Sequence, residues 1–196
     1  SNMIKITGEH LYIKEIEIDE LTDSVMAWFS DKQLMKYYTN SQKVITRDSL
    51  IAAIEQGKKE GNTFTYGIYD IQRELLIGTL KLGPINKVHR TSDLATLIGD
   101  YSFLGKGLAA EAIKLGNQLA FSVYDIRKLY SGMYESNVAS IKAYLRAGWL
   151  IEGRLKGFYQ VDGRNEDRVL VGCFNPKYFS EIEIEKVRNK QENYYE

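Results

Sequence analysis

The sequence has few of the residues that would place it in a specialised class of protein. Its 196 positions contain one cysteine and two prolines, and no apolar run is long enough to span a membrane. The single cysteine, Cys173, excludes an intrachain disulfide framework, and its apolar surroundings predict a packed thiol. Basic and acidic residues balance at 26 each, so neither nucleic acid nor a membrane is an expected partner.

What is present is typical of one globular domain, with 44% hydrophobic and 27% charged residues. We expect a single domain over residues 3–175 and a charged tail over 176–196. Ser1 and Asn2 are expected to be a remnant of expression. No secretory signal is expected, so the predicted compartment is the cytoplasm.

Hydrophobic periodicity predicts both strands and helices. Strands are predicted over residues 11–18, 64–69, 75–82, 93–98, 128–133, 150–159 and 168–174. Helices are predicted over residues 20–38 in one or two pieces, 46–57 from Thr46 to Gly57, from Leu108 onward, and 135–149 ending at Gly148. The predicted fold class is α+β, with a mostly antiparallel sheet of about seven strands and helices on both faces.

The most informative segment is residues 97–109, where an apolar strand runs into a turn with two glycines and a helix starts at once. Such a turn presents unpaired backbone N–H groups and the positive end of the helix dipole, which together bind phosphate. Gly107 after Lys106 excludes a P-loop, which needs Ser or Thr there. Two spaced glycines are too few for a dinucleotide fold. A plain tight turn is the simpler alternative.

A second helix carries polar residues along one edge. Asn137, Ser140 and Tyr144 stand at i, i+3 and i+7, so they line the same side of that helix. Beside them, Val138, Ile141 and Leu145 form an apolar face. Each polar residue also has an ordinary explanation: helix cap for Asn137, solvent exposure for Ser140 and core packing for Tyr144.

Four segments together resemble the GNAT superfamily of acetyl-CoA-dependent N-acetyltransferases. They are Gly105-Lys-Gly-Leu-Ala-Ala-Glu-Ala112, Asn137-Val-Ala-Ser140, Tyr144-Leu-Arg-Ala-Gly-Trp149 and Glu152-Gly-Arg154. The resemblance covers roughly residues 9–174 and is strongest to the branch of ribosomal-protein N-terminal and nucleotide-amino-sugar acetyltransferases. One position departs from the family: Ser102 replaces the usual Arg or Gln before the first glycine.

The resemblance implies acetyl-CoA as co-substrate and assigns residues to it. Backbone groups of Leu97, Ile98 and Gly99 would line the pantetheine arm, and one of their N–H groups would polarise the thioester carbonyl. The pyrophosphate would be held by Phe103, Leu104, Gly105, Lys106, Gly107, Leu108 and Ala109. Asn137 would hydrogen-bond the pantetheine arm.

The resemblance also gives catalytic roles on the second helix. Tyr144 is expected to protonate the departing thiolate, mainly by hydrogen bonding as charge develops, and Ser140 to contact the cofactor or a water. No general base is identifiable. Candidates for the base are Glu135, Asp100 and His89, but each of them has an easier explanation. No metal is expected.

The acceptor is expected to be a primary amine of a small molecule, with a nucleotide-linked amino sugar preferred and a ribosomal-protein or other N-terminus second. Tyr37 and Tyr38, in the segment 37–40, and His89 are the candidate acceptor contacts; they are otherwise surface aromatics and an incidental loop histidine. A non-catalytic acyl-CoA-binding module and an interaction domain without cofactor remain open. So does a homodimer through edge strands near residues 150–174.

Overall fold

The computed structural model describes residues 3–38 and 43–195, and these form one sheet with helices packed on it. The strands are β1 (Lys5–Thr7), β2 (Leu11–Glu15), β3 (Phe64–Asp70), β4 (Leu75–Asn86), β5 (Thr91–Ile98), β6 (Lys128–Tyr134), β7 (Leu150–Val161) and β8 (Arg164–Phe174). The α-helices are α1 (Asp23–Ser30), α2 (Arg47–Glu60), α3 (Leu108–Gln118), α4 (Val138–Arg146) and α5 (Glu181–Lys190).

The sheet has the order β1-β2-β3-β4-β5-β6-β8-β7. Every neighbouring pair is antiparallel except β5 and β6, which run parallel. A parallel pair needs a crossover connection, and the chain between β5 and β6 supplies it with α3. The prediction of a mostly antiparallel α+β fold is therefore confirmed, with eight strands where about seven were expected.

Two apolar clusters lie on opposite faces of the sheet. Ile77 belongs to the large cluster under α3 and α4, whereas its neighbour Leu76 packs against the small cluster around Leu21 and Val25 of the α1 region. Successive strand residues point to opposite faces, so these clusters are separated by the sheet. Leu80 and Leu94 mark the α3 face, because both pack closely on Gly116 of that helix.

The first long helix extends beyond its predicted end. Gly57 was predicted to end it, but α2 continues to Glu60 and ends at Gly61, whose φ of 68° is left-handed. Gly57 is instead required by packing: a Cβ there would lie 2.7 Å from the Thr63 carbonyl oxygen. Glycine is needed at position 57, but the reason is the close approach of the Thr63 backbone and not the end of a helix.

Other predicted bounds shift at the ends of strands. β1, at Lys5–Thr7, was not predicted, because three residues are too few to display alternation. The predicted strand over 11–18 stops at Glu15, and Ile18–Glu20 forms a 3₁₀ turn. β4 and β7 are each longer than expected, by four and two residues at their C-terminal ends, and β8 begins four residues earlier.

The C-terminal segment packs along β7. Ser180 caps α5 by accepting a hydrogen bond from the Glu183 N–H, and a 3₁₀ turn over Gln191–Tyr194 follows the helix. The Gln191 side chain accepts from the Ile151 N–H at 2.9 Å, which occupies part of the free edge of β7. None of the helices in the described part of the chain has both the length and the apolar run that crossing a bilayer requires.

Candidate active site

The candidate site lies where strands β5 and β6 separate. Their parallel pairing covers only Thr91–Asp93 against Lys128–Tyr130. Beyond that point β5 remains paired with β4, and β6 with β8, as far as Ile98 and Tyr134 respectively. The two strands therefore diverge into a V-shaped gap, whose β5 side leaves backbone donors and acceptors without strand partners.

The alternation of β5 decides which backbone groups face this gap. The carbonyls of Leu94 and Thr96 accept hydrogen bonds of 2.6 Å each from the hydroxyls of Tyr144 and Tyr38, so they point away from β4. Every second residue of a strand points the same way, which also turns the backbone of Ile98 into the gap.

The two other residues predicted beside it lie differently. Leu97 is in register with Thr79 on β4, and its backbone has the opposite orientation to that of Ile98. Gly99 donates its N–H to the Ile77 carbonyl at 2.8 Å, so that amide is already used in the sheet. Of the residues 97–99, Ile98 alone offers its backbone to the gap.

The glycine turn has the geometry of an anion cradle. Gly105 and Gly107 adopt φ of 72° and 74°, and nothing lies within 4 Å of where their Cβ atoms would be. Gly107 is the N-cap of α3 and provides no capping side chain, so the first-turn amides of α3 are uncapped. Phe103 is buried beneath the turn, while Leu104, Lys106 and the glycines are exposed.

Ser102, at the position where the family usually has Arg or Gln, is engaged locally. Its N–H and hydroxyl both donate to Asp100 Oδ1, at 2.9 and 2.7 Å. This stabilises the 3₁₀ turn over Tyr101–Phe103 that leads into the glycines. The backbone amides of the turn and of Leu108 and Ala109 thus fit a pyrophosphate without a contribution from residue 102.

Helix α4 brings Asn137, Ser140 and Tyr144 to the gap, and all three line one cavity there. Asn137 is also the N-cap of α4: its Oδ1 accepts from the Ser140 N–H at 3.4 Å. The helix cap of Asn137 is confirmed, and it leaves the amide nitrogen of the side chain free of that cap. Ser140 is half-buried, as expected for a residue at the edge of a cavity.

Tyr144 reaches across the gap from α4 to β5. Its ring is buried and packs edge-on against Trp149, with ring centres 4.6 Å apart. Burial raises the pKa of Tyr144 far above its usual value, with the negative charge of Asp93 adding to the effect. The phenol is therefore neutral at physiological pH and carries the proton that a general acid needs.

A cavity of about 420 Å³ opens from the gap toward the α1 and α2 side of the sheet. Thr79 and Lys81 of β4, and Asp93 and Ala95 of β5, line it. These residues alternate with Leu80 and Leu94, which face α3, so their side chains point to the opposite face. The cavity therefore meets the gap from the side opposite α3.

Two charged residues of this cavity were not singled out in the sequence. Asp93 Oδ1 and Arg168 Nε are both buried and have no hydrogen-bond partner among the described residues. Burial raises the pKa of the Asp93 carboxyl, although the charges of Lys81 and Arg168 act in the other direction. In the sequence, Asp93 is the one charged residue of β5, and an isolated charge in a strand is costly unless it has a function. Arg168 does not stand out, because it follows the polar residues 164–167 of β8.

The predicted acceptor residues divide into two groups. Tyr37 and Tyr38 line the cavity, and the ring of Tyr37 lies 5.5 Å from that of Tyr134. Thr39 and Asn40 lie outside the described residues. His89 is not brought to the site: it is exposed on the loop before Thr91, at the end of β5 opposite the glycine turn, where its carbonyl accepts from Arg127.

Other acidic residues near the site have structural partners. Glu135 accepts from the Asp167 N–H and pairs with Arg154, whose guanidinium also binds Asp167. Glu111 accepts from the N–H groups of two residues at the start of β2, at 2.9 and 2.6 Å, and thus ties α3 to the sheet. None of these carboxylates lines the cavity.

Comparison with known proteins agrees with this geometry. A family model described as an acetyltransferase (GNAT) domain matches residues 10–149. The spermidine N(1)-acetyltransferase of Escherichia coli is 31% identical over 104 residues, which are 53% of this chain and 55% of that protein. The chain thus spans about half the length of this curated relative.

Two solved structures share the fold. The crystal structure of spermidine N-acetyltransferase from Vibrio cholerae in complex with CoA and spermine superposes with a TM-score of 0.76 at 22% identity, covering 87% of this chain and 99% of that one. The ribosomal-protein-S5-alanine acetyltransferase of Vibrio fischeri gives a TM-score of 0.75 at 17% identity, covering 90% and 99%.

Proposed function

This chain belongs to the GNAT acetyltransferase family, and on that premise we propose that it transfers the acetyl group of acetyl-CoA to a primary amine of a small molecule. The observation that carries the proposal is the meeting of three features in one place. These are the diverging strands β5 and β6, the buried phenol of Tyr144 between them, and the buried carboxylate of Asp93 in the adjoining cavity.

Acetyl-CoA fits the residues that surround the gap. The uncapped amides after Gly105 and Gly107 suit the pyrophosphate, and the free backbone edge of β5 suits the amide groups of the pantetheine arm. Asn137 is the side chain proposed to contact that arm. Its helix cap uses Oδ1 and leaves the amide nitrogen available. Bound there, acetyl-CoA supplies the activated acyl group.

Tyr144 is proposed to act as the general acid. Its hydroxyl donates to the Leu94 carbonyl, and a hydroxyl proton can rotate about the C–O bond toward a neighbouring acceptor. After the acceptor nitrogen forms its bond to the acyl carbon, the C–S bond breaks, negative charge develops on the leaving sulfur, and Tyr144 donates its proton there. The N–H of Ile98 is proposed to donate to the carbonyl oxygen of the reacting acyl group as it gains charge.

Asp93 is proposed as the base that the sequence did not reveal. An amine must lose a proton before it attacks, and Asp93 lines the cavity from β5 with one carboxylate oxygen that has no hydrogen-bond partner among the described residues. Burial raises the pKa of Asp93 toward neutral pH, and a base is more effective when its pKa lies near the pH at which it works. The same carboxylate would hold an incoming ammonium group by a charge-assisted hydrogen bond.

The preferred acceptor is a nucleotide-linked amino sugar, with the N-terminus of a ribosomal or other protein second. Tyr37, in the cavity wall beside Tyr134, provides an aromatic surface suited to a sugar or base. The names of the relatives favour a polyamine instead, so spermidine is the third candidate. A polyamine carries several positive charges, whereas the described residues lining the cavity include one carboxylate and two cations.

The test is release of CoA thiol from acetyl-CoA with a panel of nucleotide-linked amino sugars, spermidine and short peptides. The proposal predicts turnover with at least one class of amine and loss of that turnover in the Tyr144→Phe protein. A protein that binds acetyl-CoA and raises its melting temperature with it, yet acetylates no amine, would instead be an acyl-CoA-binding module.

A further inference from the structure

Arg168 is a cation in the cavity wall that forms no ion pair or side-chain hydrogen bond within the described residues. It lies on β8, opposite Tyr134 of β6 and Leu155 of β7, and its side chain lines the cavity. Its Nε is buried and has no hydrogen-bond partner among the described residues. None of the ion pairs formed within residues 3–38 and 43–195 includes Arg168.

The position of the guanidinium group is fixed by its neighbours. It lies directly on the backbone of Gly132, where a Cβ would overlap it, so this strand position is open only because it is glycine. On the other side, its Cζ lies 5.2 Å from the centre of the Phe158 ring. Neither contact uses a hydrogen-bond donor of the group, and Asp93, the carboxylate that lines the same cavity, acts on it by charge without forming an ion pair.

An arrangement of this kind is costly unless something binds to it. Arg168 is half-buried and its Nε is inaccessible to solvent, and taking part of a charged group out of water without an ion pair is unfavourable. The neighbouring arginine shows the usual solution: Arg154 bridges Glu135 and Asp167 and donates to the Tyr194 carbonyl. Arg168, on the cavity side of the same strand pair, has its donors left for a ligand.

We infer that Arg168 forms a subsite for an anionic group, carboxylate or phosphate, of the acceptor whose amine lies at Asp93. The inference rests on the proposed acetyl transfer to an amine. Lys81, at the exposed rim of the same cavity, adds a second positive charge on the far side of Asp93. The acceptor class is then an amine that also carries a negative charge, and a polyamine is a poor match.

The experiment compares pairs of amines with and without an anionic group, and kcat/KM is expressed per neutral amine because the anion also changes the basicity of the amine. One pair is glycine against glycinamide, and the other is an amino sugar 1-phosphate against the free amino sugar. For at least one pair, the wild-type protein is expected to favour the anionic member by about 10- to 100-fold in kcat/KM, as a charged hydrogen bond provides. The pair with the larger ratio identifies the anion as carboxylate or phosphate.

Arg168→Gln removes the charge and keeps a side chain of similar length, so its ratio is expected to fall to about one. Arg164→Gln is the matched control, because Arg164 is exposed on the same strand and does not line the cavity. It is expected to keep the wild-type ratio. Circular dichroism and the melting temperature establish that both variants are folded.

Two failures are distinguishable. If the wild-type protein acetylates charged and neutral amines equally well, or prefers spermidine to all of them, the anion subsite is wrong while the proposed function stands. If no amine is acetylated, the proposed function fails, and calorimetric titration of the CoA-bound protein with the same pairs tests the subsite by affinity. Equal affinities within both pairs would then overturn it.

Discussion

The two halves of the β5–β6 pair differ in how their polar groups are satisfied. At the closed half, Thr91–Asp93 pairs with Lys128–Tyr130 in a regular parallel ladder. At the open half, the carbonyls of Leu94 and Thr96 are bonded to tyrosine hydroxyls instead of to a strand. The strands are continuous, but only the closed half is completed by the protein's own backbone.

A second contrast separates the aspartates Asp167 and Asp93. Asp167 is bound by Arg154 and by the Gly157 N–H, and these contacts lower its pKa to about 2. Asp93 borders the open half, has one oxygen without a hydrogen-bond partner in the described part of the chain, and has a raised pKa because of burial. The charged form of Asp167 stabilises the fold, whereas the charged form of Asp93 is disfavoured by its burial. Groups of the second kind concentrate at functional sites.

The largest effect is expected for the Tyr144→Phe protein. Losing the hydroxyl removes the proposed proton donor, so kcat should fall by about 100- to 1,000-fold while affinity for acetyl-CoA changes little. Steady-state kinetics and calorimetry measure the two quantities. Tyr66→Phe is the control, because Tyr66 is also a buried tyrosine whose hydroxyl is hydrogen-bonded, in this case to Tyr124, but it does not line the cavity. An equal loss of kcat in both variants would assign Tyr144 a role in packing only.

The Asp93→Asn protein should separate activity from stability. We expect kcat/KM to fall by about 100-fold as the base is lost. Because the folded-state pKa of Asp93 is raised, its ionisation weakens the fold: stability is greatest below the unfolded pKa and declines as pH rises through the folded one. Asn carries no charge, so the variant should melt at the same or a higher temperature at pH 7.

The pH profile provides an independent measure of Asp93. In the wild-type protein, kcat/KM should rise with pH through a limb set by a carboxyl pKa above its ordinary value. The Asn variant should lack that limb. A variant that is less stable and retains the limb would mean that Asp93 is a structural residue.

Gly107→Ala tests the anion cradle with a smaller effect. A residue other than glycine at φ of 74° costs roughly 1 kcal/mol. The turn of the variant would therefore adopt another backbone conformation, and binding of acetyl-CoA would have to return it to this one. The dissociation constant for acetyl-CoA should rise about 5-fold with kcat nearly unchanged. Gly163→Ala places the same strain, at φ of 76°, in the β7–β8 turn and should not alter that constant. A shared change in affinity would argue for a general loss of stability.

The smallest effect concerns Asp167, which lies on β8 and is bound by Arg154. Its depressed pKa means that it contributes stability above the unfolded value near 3.9, which is lost as pH falls toward about 2. The urea midpoint of the Asp167→Asn protein should be lower than that of the wild type at pH 7, and the two should converge near pH 2. Curves that remain parallel over that range would contradict the assigned ion pair.

The sequence predicted the glycine turn and the helix residues of the site better than the charged residues of its cavity. The glycine turn and the edge of Asn137, Ser140 and Tyr144 are local patterns, since turn chemistry and helical spacing are readable over a few residues. The predictions for Gly99 and His89 depended on strand orientation and on which end of β5 opens. Those are properties of pairing between distant segments, and they cannot be read locally.

Asp93 and Arg168 could not be recognised for the same reason. Arg168 continues a run of polar residues in β8, Asp93 follows two hydroxyl residues in β5, and their shared cavity exists only because β6 lies between β5 and β8 in the sheet. Gly57 was misread because a contact with Thr63, beyond the helix end, determined the need for glycine there. Tertiary contacts overrode local signals in each case.

The most direct test of the account is the rate of amide hydrogen exchange along β5, measured by NMR with and without acetyl-CoA. Thr96 and Ile98 turn their backbone into the gap, whereas the amides of Ala95 and Leu97 face β4. The account predicts slower exchange at Thr96 and Ile98 on addition of acetyl-CoA, with Ala95 and Leu97 unchanged. Unchanged exchange at Thr96 and Ile98 in protein saturated with acetyl-CoA would contradict the gap as its binding site.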